Sequence, residues 1–368
     1  MPKIVRPAIA GLPVYVSGIP AEVIQQKFNL TAIAKMDSNE NPYGMSPRAR
    51  DAARGAIDEA FRYPDRDETH LRQLIAADLD VDPRQLVFSG GSEDVLAIIY
   101  QMVLSAGDTV VTVTPGFGLH AICGQICDAK IVVHPHTDDW RFPVDDIVAS
   151  IHAGARIVAI ASPSNPVGTM MSAADVERII EAAGTQCLLL FDEAYIEFAG
   201  PEWHTLVLER MRSHNGPWAV LRTFAKAHGL AGMRIGYGVV HDVEFADNFN
   251  KTRSPFNVNA VALAAAEAAY ADKLHVQQVV QTLADNRLHT QELLAVAGFS
   301  NAPSRANFLF VDCGTNGAAM AEQLQRHGVL VKPWFEPGYE SYVRATIGLR
   351  AECDALVAAL VAARDALS

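Results

Sequence analysis

The chain has 368 residues, with 30 Lys+Arg against 42 Asp+Glu and a formal net charge of −12. Half of the residues are hydrophobic and a fifth are charged, a composition that builds a sizeable core and excludes a disordered or fibrous chain. The acidic balance excludes general binding to nucleic acid or an anionic membrane, which needs a basic surface, so any anionic ligand must sit in a local pocket.

At about 150 residues per domain the length predicts two domains, or one large α/β domain with an appendage. Residues 1–40 read as an irregular arm that packs on the smaller domain or on a partner subunit. Pro7, Pro13 and Pro20 interrupt its apolar stretch, which makes a poor secretory leader. No run reaches the ~20 apolar residues of a membrane helix. Over 41–253 short apolar runs alternate with Ala/Leu/Glu-rich helical stretches. The runs are 85–89 (QLVFS), 109–114 (TVVTVT), 130–134 (KIVVH), 156–162 (RIVAIAS), 187–192 (CLLLFD), 218–223 (WAVLRT) and 235–240 (IGYGVV). The pattern predicts an α/β fold, a mostly parallel seven-stranded sheet sandwiched by helices. From residue 254 the texture changes to an Ala-rich helix, two short strands (NFLFVD, 307–312, and GVLVKP, 328–333) and a final helix. Residues 254–368 therefore read as a smaller α+β domain. The five cysteines are scattered and odd in number, which predicts free thiols in a reducing, cytoplasmic compartment. The histidines show no metal-ligand spacing, and no metal is expected.

In a parallel sheet ligands bind beyond the carboxyl ends of the strands, so the residues there carry the functional signal. After 85–89 comes Gly90-Gly91-Ser92-Glu93-Asp94; a Gly-Gly turn into a helix N-terminus cradles phosphate, although alone it reads as a helix capped by Ser92. After 156–162, Pro163, Pro166 and Gly168 fix a turn around Asn165. The run 187–192 ends in Asp192, followed by Tyr195. A carboxylate there is costly unless a cation or strong donor faces it. Lys226 lies just beyond 218–223, where desolvation would free a nucleophilic amine, and Arg234 follows. Gly116-Phe117-Gly118 with Ala121 matches a dinucleotide fingerprint. The next run, however, ends in His134 rather than an acidic residue, which argues against that reading. Each feature has an ordinary structural explanation. Together, in this order, they supply an amine, an anion for a ring nitrogen, donors for a ring oxygen and a phosphate cradle, the needs of pyridoxal phosphate.

With SNENPYG (38–44), YPD (63–65), GGSED (90–94), SPSNPVGT (162–169), DEAYIEF (192–198), RTFAKAHGLAGMRIGYG (222–238), NFLFVD and VRATIGLR (343–350), the chain resembles the fold-type I pyridoxal-phosphate aminotransferases, and among them the histidinol-phosphate aminotransferase-like group. The resemblance implies that Lys226 binds the cofactor aldehyde and serves as general base and acid. It implies that Asp192 pairs with the ring nitrogen, that Asn165 and Tyr195 hold the ring oxygen, and that Phe117 stacks on the ring. The Gly91–Ser92–Glu93 turn, Thr223 and Arg234 would hold the phosphate. Tyr63 would reach the phosphate of the partner subunit in a homodimer. Arg344 would bind the carboxylate of the donor, glutamate, or an equivalent anion, and Tyr43 would help to close the site. His120 and Lys332 stand at positions that bear on the substrate. Lys332 replaces a second arginine, Ala225 a serine, and Phe117 a tyrosine. The implied substrate is therefore histidinol phosphate or an aromatic, imidazole-bearing or specialised amino acid. Two rival readings are a decarboxylase resembling threonine-phosphate decarboxylase, and the cofactor-sensing domain of a transcription regulator. The second would need an added DNA-binding module.

Overall fold

The computed structural model describes residues 4–12 and 18–367; residues 1–3 and 13–17 of the arm, Pro13 among them, lie outside the described residues. The strands, in chain order, are β1 (Ala34–Lys35), β2 (Leu86–Ser89), β3 (Thr109–Thr114), β4 (Lys130–Pro135), β5 (Ile157–Ala161), β6 (Leu188–Asp192), β7 (Trp218–Thr223), β8 (Gly236–Val240), β9 (Ser300–Asn301), β10 (Phe308–Asp312), β11 (Val329–Leu330), β12 (Lys332–Pro333) and β13 (Tyr342–Thr346).

Seven of them form the large sheet, ordered β2-β8-β7-β6-β5-β3-β4. Neighbours run parallel except at β8, which is antiparallel to both β7 and β2. Residues 224–235 contain no α-helix to carry the chain across the sheet, so β8 turns back beside β7. The mostly parallel seven-stranded sheet of the sequence reading is thus present. Its runs are apolar throughout because both faces are covered. Leu188 and Leu190 enter one core cluster, with Val95, Ile99 and Phe249. Leu189 and Phe191, one step out of phase, enter the other, with Leu71, Ile75, Ile147 and Ile179.

The second sheet is antiparallel, ordered β12-β13-β10-β9. A separate apolar cluster packs it against the helices Lys273–Val296, Gly317–Arg326 and Arg350–Leu367. Two details differ from the sequence reading. GVLVKP is not one strand: β11 pairs in parallel with β1, and β12 pairs with β13. The helix Ala260–Ala271, assigned to the unit starting at 254, packs instead in the large-sheet core. Its small Ala262, Ala265, Ala266 and Ala269 meet Ala49 and Ala53 of the helix Pro47–Ile57, which allows the two backbones a close approach. Among the described residues no helix is long and apolar enough to cross a membrane.

Candidate active site

The carboxyl ends of the parallel strands open into one cavity. Asp192 is the last residue of β6, Thr223 the last of β7 and Ala161 the last of β5. Asn165 follows β5, Phe117 follows β3, and the turn after β2 delivers Gly91, Ser92 and Glu93. These side chains line the cavity with Tyr195, Lys226 and Arg234, and with Leu119, Ala194 and Ala225. Ten of the residues singled out from the sequence therefore converge.

Asp192 sits at the buried end, 6 % exposed. The Ala194 N–H donates to its Oδ1 at 3.1 Å, and His120 Nε2 lies 3.3 Å from Oδ2. Lys226 approaches from the β7 side, its Nζ 5.6 Å from the centre of the Tyr195 ring and donating to Ser38 O at 3.3 Å. The side chain reaches the cavity, yet protein atoms crowd the amine. Desolvation, and then repulsion from Arg344, lower its pKa to about 8. The Tyr195 hydroxyl accepts from Asn39 Nδ2 at 2.9 Å and Asn165 Nδ2 at 3.4 Å. Asn165 Oδ1 in turn accepts from Arg344 at 2.9 Å, so one amide bridges Tyr195 and Arg344.

The other end of the cavity is built for an anion. The helix Ser92–Val103 begins at Ser92, and its N-cap is Gly91 at φ +112°, with no side chain capping it. Ser92 is thus the first helical residue rather than the cap. The first-turn N–H groups and the positive end of the dipole are left to face the cavity. A Cβ at Gly91 would lie 2.7 Å from the Arg234 guanidinium, and one at Gly236 would lie 2.3 Å from the Ser92 nitrogen. Only glycines let the helix start, β8 and Arg234 meet there. Thr223 Oγ1 accepts from the Ala225 N–H at 3.1 Å, which leaves its hydroxyl hydrogen to donate. Donors at one end, a carboxylate at the other and an amine alongside fit the phosphate, ring nitrogen and aldehyde of pyridoxal phosphate.

Five of the residues singled out lie outside the cavity lining. His120 is 1 % exposed, wedged edge-on against Phe117 behind Asp192, so it does not line the cavity as a substrate ligand would. Tyr63 is 81 % exposed and stacks on Phe256 at 4.6 Å. Tyr43 is partly exposed, its hydroxyl 3.5 Å from Asn286 Nδ2. Lys332 lies directly opposite Arg344 across β12 and β13, which puts two cations on one face of the sheet. Burial and the nearby Arg344 charge lower the Lys332 pKa. Arg344 itself is buried and donates to Asp37 O at 2.6 Å.

Four supporting residues were not singled out. Asn39 holds the Tyr195 hydroxyl, and Asn41 donates to Ala227 O at 3.0 Å, just past the lysine. Arg222 and Glu193 form an ion pair, 2.7 Å apart and 1 % exposed on both sides. Arginine inside an otherwise apolar run was the available signal, since a guanidinium so placed demands a carboxylate.

The sheet, the lysine and the opposed carboxylate define an enzyme of the fold-type I pyridoxal-phosphate class. The chain belongs to the aminotransferase class I and II family, whose model matches residues 31–360. It is 40 % identical over 346 residues to histidinol-phosphate aminotransferase 1 of Mesorhizobium japonicum, covering 94 % of each chain. It is 38 % identical over 356 residues to histidinol-phosphate aminotransferase 3 of Rhizobium meliloti, covering 97 % of this chain and 96 % of the relative. The crystal structure of histidinol-phosphate aminotransferase from Sinorhizobium meliloti in complex with pyridoxal-5'-phosphate superposes with a TM-score of 0.91 at 29 % identity, covering 100 % of this chain and 99 % of the other. The protein is a pyridoxal-phosphate-dependent aminotransferase acting on small molecules, and the decarboxylase reading is not favoured.

The Lys226 amine predicts a pH signature of the apoprotein. The amine titrates near 10.5 in the unfolded chain and near 8 in the fold. Below 8 both states bind the proton, and the fold bears the full cost of the buried charge. Between 8 and 10.5 only the unfolded chain binds it, so stability rises with pH. Measured by denaturant unfolding against Lys226→Met, wild type is expected to gain up to about 3 kcal/mol across that window. Parallel curves for the two proteins would contradict the desolvated amine.

Proposed function

We propose that the enzyme transfers the amino group of histidinol phosphate, with glutamate and its 2-oxo acid as the other pair, in a cytoplasmic homodimer. The observation that carries this reading is the cavity with Lys226 and Asp192 at its walls and the Arg344–Lys332 pair beyond Asn165. Two cations side by side suit a substrate phosphate in one half-reaction and a carboxylate in the other. The names of the most similar relatives support the substrate, and five free cysteines support the compartment.

We assign pyridoxal phosphate to Asp192 at the ring nitrogen, Asn165 and Tyr195 at the ring oxygen, and Phe117 at the ring face. Gly91, Ser92, Glu93, Thr223 and Arg234 hold its phosphate. When bound, the cofactor supplies an electron-accepting ring that delocalises the electron pair released at the substrate Cα. Lys226 Nζ, with a usable fraction of free amine near neutral pH once its pKa has dropped to about 8, takes the Cα proton and later returns one. Asp192 keeps a negative charge where the ring nitrogen needs its proton. His120, packed on that carboxylate, fixes its orientation. Arg344 turns the substrate anion toward Asn165, and its bond to Asn165 ties that grip to the Tyr195 hydroxyl. The smaller unit, which we place from about Asp272 onward, carries the two substrate cations.

Arg344→Lys is expected to raise the KM for glutamate about tenfold while the cofactor absorbance stays. Unaltered donor kinetics would remove Arg344 from the role. The substrate itself is tested with a panel of amines and 2-oxo acids, read by loss of the visible absorbance. Histidinol phosphate should react fastest, and faster turnover of aromatic amino acids would replace it.

Tyr63 supports the homodimer. An aromatic side chain so exposed, stacked on Phe256 and outside its own cavity, suits a role in the active site of a second copy. Sedimentation equilibrium is expected to show twice the 39.8 kDa of one chain. A species of one chain mass at assay concentration would exclude a shared site.

A further inference from the structure

A second cleft, of about 710 Å³, shares no lining residue with the first. It lies where the turn after β5 and Trp203 meet the helix Lys273–Val296 and the segment before β10. Three arginines line it: Arg287 from that helix, Arg305 from that segment, and the exposed Arg141, which is paired with Asp139. Arg305 has Glu202 at 3.7 Å, both of them solvent-exposed. Arg287 has no carboxylate within 4 Å among the described residues. Its NH1 donates to Ala306 O at 2.8 Å, and its Nε is buried without a hydrogen-bond partner. Burial and the adjacent Arg305 charge lower the Arg287 pKa. Two further buried donors that line the same cleft, Thr169 Oγ1 and Trp203 Nε1, also lack partners. The acidic residues there are engaged: Arg141 holds Asp139 at 2.7 Å, and Ser172 donates to Asp175 at 2.7 Å.

A guanidinium drawn partly out of water beside a second one, without a counter-charge, is costly, and unpaired buried donors are rare in folded proteins. Three such donors belong to residues that border one cleft, and the Arg287 charge beside them has no carboxylate partner among the described residues. We propose that this cleft binds a small oxyanion, the phosphate or carboxylate of a metabolite, between Arg287 and Arg305. The flat guanidinium forks match the oxygen pairs of either group. Thr169 ends the turn that holds Asn165, so the bound anion would tie that turn to the helix carrying Arg287.

Isothermal titration of the holoenzyme with inorganic phosphate tests this, with acetate as a parallel arm that tells phosphate from carboxylate preference. One saturable site is expected to persist in Arg344→Gln, which removes the active-site cation. It should weaken about tenfold or more in Arg287→Gln and in Arg305→Gln. Arg287 also supports Ala306 O, so the exposed Arg305 position gives a readout if the Arg287 variant does not fold. The proposal is overturned if neither anion binds saturably, if the site vanishes in Arg344→Gln, or if both cleft variants bind as wild type does.

Discussion

Lys226→Ala is expected to abolish the visible absorbance that the covalently held cofactor gives the purified enzyme, and to lower kcat by up to ~10⁴-fold. Among the described residues Lys226 is the only lysine lining the cavity, so no neighbouring amine there can replace it. Ordinary lysine would be protonated at neutral pH and useless as a base. The pKa near 8 leaves a usable fraction of free amine. Asp192, the phosphate cradle and Arg234 remain in the variant, so the cofactor should still bind, now without a covalent link. Lys226→Arg separates charge from nucleophilicity: it keeps the cation and should be as inactive as the alanine variant. An unchanged spectrum in Lys226→Ala would remove the residue from its role.

Asp192→Asn should lower kcat by about 10²–10³-fold, the usual cost of one lost electrostatic contact in a water-poor site, with a much smaller change in KM. The carboxylate is buried and held in place by the Ala194 N–H. Asparagine keeps that shape but brings no negative charge to the ring nitrogen. Asp192→Glu restores the charge at a shifted position and should recover part of the rate. Stopped-flow measurement of the first half-reaction isolates the effect from product release. A loss confined to KM would mean that Asp192 only helps to bind.

Much of the fold and cavity was legible because each element has a local cause. The apolar runs reflect a sheet covered on both faces. Asp192 stood out as a charge at the end of such a run, and Lys226 as an amine just past another. What stayed hidden depends on contacts distant along the chain. Asn39 meets Tyr195 across 156 residues, and nothing near either position signals it. The division of GVLVKP rests on two-residue pairings to different strands, too short to leave a periodic trace. The Ala-rich helix 260–271 has no polar face to show which core it joins. Tyr63 is exposed and outside the cavity, and its expected place against a partner subunit comes from the family resemblance rather than from any local signal.

The pairing of Ala34 and Lys35 with Val329 and Leu330 has a consequence for biogenesis. A segment made among the first must wait for one made near the last before its backbone bonds can close. Contacts so distant along a chain form slowly, and on the ribosome this early stretch has nowhere to dock. Nascent or truncated molecules should therefore offer proteases a cleavable leader-side strand, which the finished molecule conceals.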